Sequence, residues 1–241
     1  MKIKLACAQC FEQSLGDDAA SIPSSVFFSE IIREDGLYRG KCPRGHDFQI
    51  RVQTLPHEML FEIALNAIED GYYREAVSSF AASVERFYEF SIRTLAKAYG
   101  VDDLVTEAGW DEISAQSERQ LGAFIFLSVA SFKELPTLLP NRKVKFRNKV
   151  IHKGCLPNRQ EAIDFGAACY EVIQDGIQKL KHSYRNEVSN ALGDHLRKAE
   201  RHIDWSSPLH TQTTTTALNI VAERETPPFG DILRRRGLFE G

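Results

Sequence analysis

Two kinds of hydrophobic spacing divide this chain. Up to residue 54, apolar residues come in short alternating or continuous stretches that suit strands. "SVFFSEIIREDGLYRGKC" runs on either side of Asp35-Gly36, a dipeptide that favours a tight hairpin turn. "DFQIRVQT", directly after His46, alternates as a further strand. From Pro56 the spacing lengthens to three or four residues. Pro56 suits the first position of a helix, and "HEMLFEIALNAIEDG" keeps helical spacing until Gly71. The next segment, Tyr72 to Gly100, places Ala76, Phe80, Val84, Phe87, Phe90 and Leu95 on one inward stripe, with Gly100 as its terminator. "SAQSERQLGAFIFLSVASFKEL" predicts a third helix, strongly apolar from Leu121 to Phe132. "ELPTLLPN" breaks it, "RKVKFRNKVIH" is a short basic helix or turn, and "GCLPN" breaks the chain again. "RQEAIDFGAACYEVIQDGIQKLKHSYRNEV" predicts a last long helix, with Ile163, Ala167, Tyr170, Val172, Ile173 and Ile177 in the core.

The fold class expected from this pattern is mainly α: an antiparallel helical bundle preceded by a small β module. The divisions expected are 1–54 for the β module, 56–182 for the bundle and 183–241 for a C-terminal helix and extended tail. Beyond about residue 190 the periodicity weakens. "ALGDHLRKAERHIDW" suits a polar helix, "TQTTTTALNIVAE" a short strand, and "PPFGDILRRRGLFEG" a tail or docking peptide.

Composition changes this picture little. A hydrophobic fraction of 43% is enough for a buried core. A net charge of −3 and a pI near 6.2 exclude a polycation, so any contact with nucleic acid has to come from a local patch. No run approaches the roughly 20 apolar residues of a membrane span. "MKIKLACAQC" shows no signal peptide, so a cytoplasmic protein without a membrane segment is expected.

Cysteine usage adds a site. The five Cys are an odd number, and in a reducing compartment a disulfide framework is not expected. Cys7 and Cys10 stand at the two-residue spacing of a metal knuckle, and Cys42 and His46 form a second pair. Four N/S ligands suit tetrahedral Zn²⁺, and a complete set leaves no open position, which makes the metal structural. Pro43 and Gly45 are turn residues that aim backbone N–H groups at sulfur. Two knuckles on short strands resemble a zinc ribbon, and so short a module gains its stability from metal. Cys155 and Cys169 are expected to be buried or neutral.

The basic stretch holds the other candidate chemistry. Arg142, Lys143, Lys145, Arg147, Lys149 and Lys153 lie within "NRKVKFRNKVIHK" with no acid among them. In an acidic protein this is a local place for phosphate. On a helix, Asn148 and His152 share one face, Arg147 and Ile151 the adjacent one, and Phe146 and Val150 an apolar stripe. Arg grips phosphate bidentately, His moves a proton near neutrality, and Asn orients either. A solvated basic face with an incidental His fits the same spacing.

An Arg, then a polar residue, with four to six residues between the Arg and a His, late in a helical bundle, resembles the signature of the HEPN family. Here the match is Arg147, Asn148 and His152. "KGCLPNRQEAIDF" and the earlier helix with its mid-helix Glu85 are similar to HEPN sequences too, and the resemblance spans roughly residues 56 to 182. It implies an all-helical homodimer and a metal-independent endoribonuclease in a toxin, defence or RNA-processing role. Arg147, Asn148 and His152 would be catalytic, and Arg142, Lys143, Lys145, Lys149 and Lys153 would bind RNA. Inactive members bind RNA or proteins, so a regulatory or dimerisation module with a protein partner is the alternative. Arg185-Asn186 repeats the dipeptide, but its next His, His195, is too distant, and the pair reads as surface.

Overall fold

Leu55–Pro56 is where the chain leaves one compact unit and enters another. In the computed structural model, residues 2–14, 26–33, 35–198, 200–214, 216–220 and 227–238 are described. Of the stretches expected above, residues 25, 34, 199, 215, 221–223 and 239–241 lie outside the described residues. Unit 1 comprises residues 1–55 and 192–215, and unit 2 comprises 56–191 and 216–241. Residues 183–241 are therefore shared between the two units and are not a separate tail.

Unit 1 carries the strands: β1 (Lys2–Ala6), β2 (Phe27–Ile31), β3 (Leu37–Lys41), β4 (Asp47–Val52) and β5 (His210–Gln212), with a short helix α1 (Ala8–Ser14) after β1. They form two sheets, not one. β1 pairs antiparallel with β2, and β3, β4 and β5 form the other, β4 and β5 running parallel. The expected hairpin at Asp35-Gly36 is thus corrected. The turn exists, with Gly36 at φ +62, but it links the two sheets. The Asp35 carboxylate accepts from Leu37 N–H at 3.1 Å and from the Arg33 guanidinium at 3.0 and 2.9 Å. That local network redirects the chain, and pairing goes elsewhere because β2 already has β1. The true hairpin joins β3 to β4 through residues 42–46.

The C-terminal return completes this unit. Gln49, 2% exposed, donates to the Asp204 carbonyl at 2.9 Å and accepts from its N–H at 2.8 Å. Gln212 accepts from Ala6 N–H and donates to the Lys4 carbonyl. Leu37, Ile203 and Leu209 make a small apolar cluster there.

Unit 2 is helical: α2 (Pro56–Glu69), α3 (Tyr73–Ala98), α4 (Asp103–Ser114), α5 (Ser117–Phe132), α6 (Asn141–Lys153), α7 (Arg159–Ser183) and α9 (Phe229–Arg235), while α8 (Arg185–Lys198) runs from this unit into the other. The protein is mainly helical, with a small strand-bearing N-terminal region. The α3 stripe is as its spacing requires: Ala76, Phe80, Val84, Phe87, Phe90 and Leu95 are all buried. α3 packs against α2, α4, α5, α6 and α7. At α7, Gly166 and Gly176 let the rings of Phe80 and Phe87 approach; a Cβ there would stand 2.6 and 2.4 Å from them.

Two helices differ from the pattern. α4 has no expectation behind it, because its apolar Leu104 and Val105 face solvent and only Trp110 is buried. It starts on an Asp102 cap that accepts from Leu104 N–H. Trp110 sits against Arg86 and Arg93. α5, apolar along most of its length, buries only Phe124 among its apolar residues and leaves Phe126 78% exposed.

The segment expected as a tail or docking peptide is part of the unit 2 core. Ile232, Leu233 and Leu238 are buried, and Phe229 rests on Phe61 and Tyr170. One polar stripe on α2 anchors it. Glu58 accepts from Ile220 N–H at 2.8 Å and Glu62 from Ala217 N–H at 2.6 Å. Arg236 reaches Asn66 and Glu69 at 2.9 and 2.8 Å and closes on Glu62. Burial holds the Glu62 carboxyl above its usual range, against the pull of Arg236.

Removing Arg236 leaves the nearly buried Glu62 carboxylate without its cation. Loss of one partner of a buried pair costs about 3–5 kcal/mol, and the part-exposed guanidinium puts this case at the low end. Arg236→Ala is therefore expected to lower stability to urea by about 3 kcal/mol, whereas the solvent-facing neighbour Arg235→Ala is expected to change it by under about 0.5 kcal/mol. Equal effects would mean that Arg236 does not anchor the segment.

Candidate functional site

Cys7 follows β1 directly, and its carbonyl accepts the first helical bond of α1 from Phe11 N–H at 2.9 Å. Cys10 therefore lies one turn along α1. The first Cys pair is thus corrected from a strand knuckle to a strand-to-helix turn. The second pair is the β3–β4 hairpin loop itself. Cys42 N–H donates to the His46 carbonyl at 2.9 Å, Gly45 N–H to the Cys42 carbonyl at 2.8 Å, and Gly45 has φ +85. No side chain but hydrogen fits that backbone easily.

These turns bring four donors together. Sγ of Cys7, Cys10 and Cys42 and a ring nitrogen of His46 all lie within 4.8 Å of one another. The Cys10 and Cys42 sulfurs are 3.7 Å apart, and His46 Nδ1 is 3.3 Å from the Cys10 sulfur and 3.8 Å from that of Cys7. A tetrahedral ion with metal–sulfur bonds of about 2.3 Å has sulfur–sulfur edges of roughly 3.8 Å. The separations fit that frame and are far beyond a disulfide bond of about 2.05 Å. The three thiols are buried and the imidazole is half-buried. The cluster is a potential metal site.

The local electrostatics suit the chemistry of a knuckle. Burial acts upward on the Cys42 thiol, but backbone N–H groups of Arg44 and His46, with the neighbouring thiols, outweigh it and hold it below the usual range. The loop thus stabilises a thiolate. Burial and the two neighbouring thiols push Cys10 up to about 11, a repulsion that a bound cation removes. Gln13 is a residue the sequence reading missed. Its amide nitrogen is 3.5 Å from His46 Nε2, so the two side chains can share a hydrogen bond whose direction is set by the imidazole tautomer. The signal lay in the spacing, one α1 turn after Cys10.

The basic segment is helix α6, from Asn141 to Lys153, ended by Gly154 in the left-handed region. Val150 is fully buried. Phe146 meets the ring of Phe165 on α7. Arg147 lies between two partners: Nη2 donates to Glu85 of α3 at 2.7 Å and Nη1 to the Asn148 side chain at 3.1 Å. Its side chain is 23% exposed. His152 is exposed in the last turn, one turn beyond Asn148. Arg142, Lys145, Lys149 and Lys153 are exposed and Lys143 is half-buried. Arg185 and Asn186 open α8 at the surface. Cys155 is exposed, while Cys169 is buried and its thiol pushed upward by that burial.

Metal removal should weaken unit 1 first, because all four donors belong to it. Purified protein is expected to carry one metal ion per chain, and Cys42→Ser to lose it with a lowered thermal midpoint. Elemental analysis together with a melting curve in chelator checks both; a metal-free protein that melts unchanged in chelator contradicts the site. No protein-family model matches the chain, and neither a curated protein nor a solved structure shows a significant match to it.

Proposed function

We propose that this chain is a metal-independent endoribonuclease of HEPN type whose N-terminal unit is stabilised by a structural Zn²⁺. The observation that carries the reading is the setting of Arg147. It stands on α6 with Asn148 beside it, Glu85 across from it, and His152 one turn further on. A guanidinium held on one edge by carboxylate and amide has a fixed direction for its remaining N–H groups, which is what orienting a phosphate requires. The exposed His152 is free to exchange protons with an RNA strand. In the reaction the ribose 2′-oxygen loses its proton and bonds to the adjacent phosphorus. The 5′-oxygen leaves with a proton, giving a 2′,3′-cyclic phosphate and a 5′-hydroxyl end. His152 is the general acid or base, Arg147 stabilises the charge growing on phosphate, and Asn148 orients one of them. Lys145, Lys149, Lys153, Arg142 and Lys143 draw in the backbone.

Zn²⁺ is the ion assigned because three thiolates and one imidazole are its structural donor set. Two such α6 helices in a homodimer would supply both an acid and a base, and a cytoplasmic toxin, defence or RNA-processing role follows from the same resemblance. That no described helix is long and apolar enough to cross a membrane agrees with a substrate met in water. One observation favours a second reading, a non-catalytic RNA- or protein-binding module. The Arg147 charge is already matched by Glu85.

Full-length protein incubated with total RNA in chelator separates the two. Cleavage is expected, with cyclic-phosphate ends. His152→Ala should lower it about 10²–10⁴-fold and Arg147→Ala about 10²–10³-fold, both proteins keeping their helical circular dichroism. Products with 5′-phosphate ends, or a fully active His152→Ala, would falsify the mechanism.

Sedimentation gives an independent check on the shared site. A dimer at micromolar concentration is expected, and mixing His152→Ala with Arg147→Ala chains should restore part of the activity. A fully active monomer contradicts a site built from two copies.

A further inference from the structure

Unit 1 contains a cavity of about 310 Å³ lined by Arg33, Asp35, Leu37, Arg39 and His202. Its charges are unevenly matched. Arg33 commits Nε and Nη2 to Asp35, so that carboxylate is neutralised within the lining. Arg39 carries no hydrogen bond and no ion pair among the described residues. Its charge reaches Asp204, whose carboxyl sits below its usual range through hydrogen bonds from Ser206 first and the charge of Arg39 last. Within the lining two guanidiniums stand against one carboxylate, with the Asp204 carboxylate outside it in reach of the Arg39 charge, and His202 adds a further donor. Leu37, buried, supplies the apolar part of the lining.

A second feature lies three residues along the chain from His202. The turn at residues 204–207 is held from both sides. Gln49 clamps the Asp204 backbone with both ends of its amide. The Asp204 side chain accepts from Ser206 N–H at 3.0 Å and Ser206 Oγ at 2.6 Å. The residue this turn presents is Trp205, 71% exposed. A firmly built turn that leaves an indole in water, close along the chain to a cationic cavity, has the two components of nucleotide recognition: an anion holder and a stacking face.

We propose that this cavity binds a phosphate of single-stranded RNA, with Arg39 and Arg33 on the anion and Trp205 stacked on a base. The site lies in the unit that does not contain α6, and it stands whether or not the chain cleaves RNA. A free nucleotide offers the same chemistry, so the test separates the two.

Full-length His152→Ala protein, used so that no strand is cut, is titrated with an oligouridylate while tryptophan emission is followed. Trp205 reports on the site, since the only other Trp, Trp110, is buried between Arg86 and Arg93. Quenching is expected, and it should vanish in Trp205→Ala. Arg39→Gln should raise Kd about tenfold and reduce the salt slope by about one. Both positions are exposed, so circular dichroism should not change. Uridine monophosphate quenching at the same affinity as the oligonucleotide supports the phosphate site with a free nucleotide as its source. Weaker quenching by the mononucleotide supports the strand. Emission unmoved by either ligand, or an affinity unchanged by Arg39→Gln, overturns the proposal.

Discussion

Everything in unit 2 rests on how closely α3 and α7 approach. Phe80 and Phe87 are fully buried, and each points at a glycine on α7, where even a methyl group would overlap the ring. A core at crystal-like density has no slack to absorb such an overlap. The contact fixes the rotation of α3 about its axis. Once Phe80, Val84 and Phe87 face inward, Glu85 must stand on the flank, one residue beyond the buried stripe. α6 packs against that same helix, with Val150 inward and Phe146 against α7. The meeting of Glu85 with Arg147 is therefore a consequence of apolar packing on both helices.

Unit 1 solves the stability problem differently. Its strands are short, its sheets hold two and three strands, and one of its apolar clusters amounts to Leu37, Ile203 and Leu209. Cross-chain polar bonds add to what packing supplies. Gln49 and Gln212 each commit both ends of an amide to distant backbone, and four side chains able to hold a metal converge between a strand-to-helix turn and a hairpin loop. Each device ties segments that are far apart in sequence, and so helps offset the loop-closure entropy that their approach costs.

The difference between local and distant information explains what the sequence disclosed. The α3 stripe, the α6 helix and the ligand quartet are local patterns, or pairs of local patterns, and each was legible. Asp35-Gly36 was legible as a turn, but its partner strands were not, because the turn residues set geometry and not which strand has already been taken by β1. α4 was silent because its helix signal is a cap and a single Trp between two arginines, with no inward stripe. The α2 stripe of Glu58, Glu62, Asn66 and Glu69 carries no sign of its partners in local spacing. Its partners, Ala217, Ile220 and Arg236, lie more than 150 residues away, and no periodicity announces them. Gln13 escaped because its place one α1 turn after Cys10 matters only once His46 is known to stand across from it.

The pairing of Arg147 with Glu85 sets the electrostatic terms on which any anion meets α6. The pair is only partly shielded, with side chains 23% and 28% exposed, so water moderates its attraction and the guanidinium keeps N–H groups that Glu85 does not use. A phosphate that docks beside it gains little from net charge, because the carboxylate cancels it, and much from geometry, because the fork cannot rotate away. Attraction at a distance must then come from the unpaired lysines along the helix. Position and charge are in this way supplied by different residues. In the proposed reaction Arg147 would act only at hydrogen-bonding range, where a transition state differs from a ground state by fractions of an ångström, while Lys145, Lys149 and Lys153 would act over the roughly 8–10 Å of a Debye length at ordinary ionic strength. An arginine without Glu85 would bind phosphate more strongly and hold it less well.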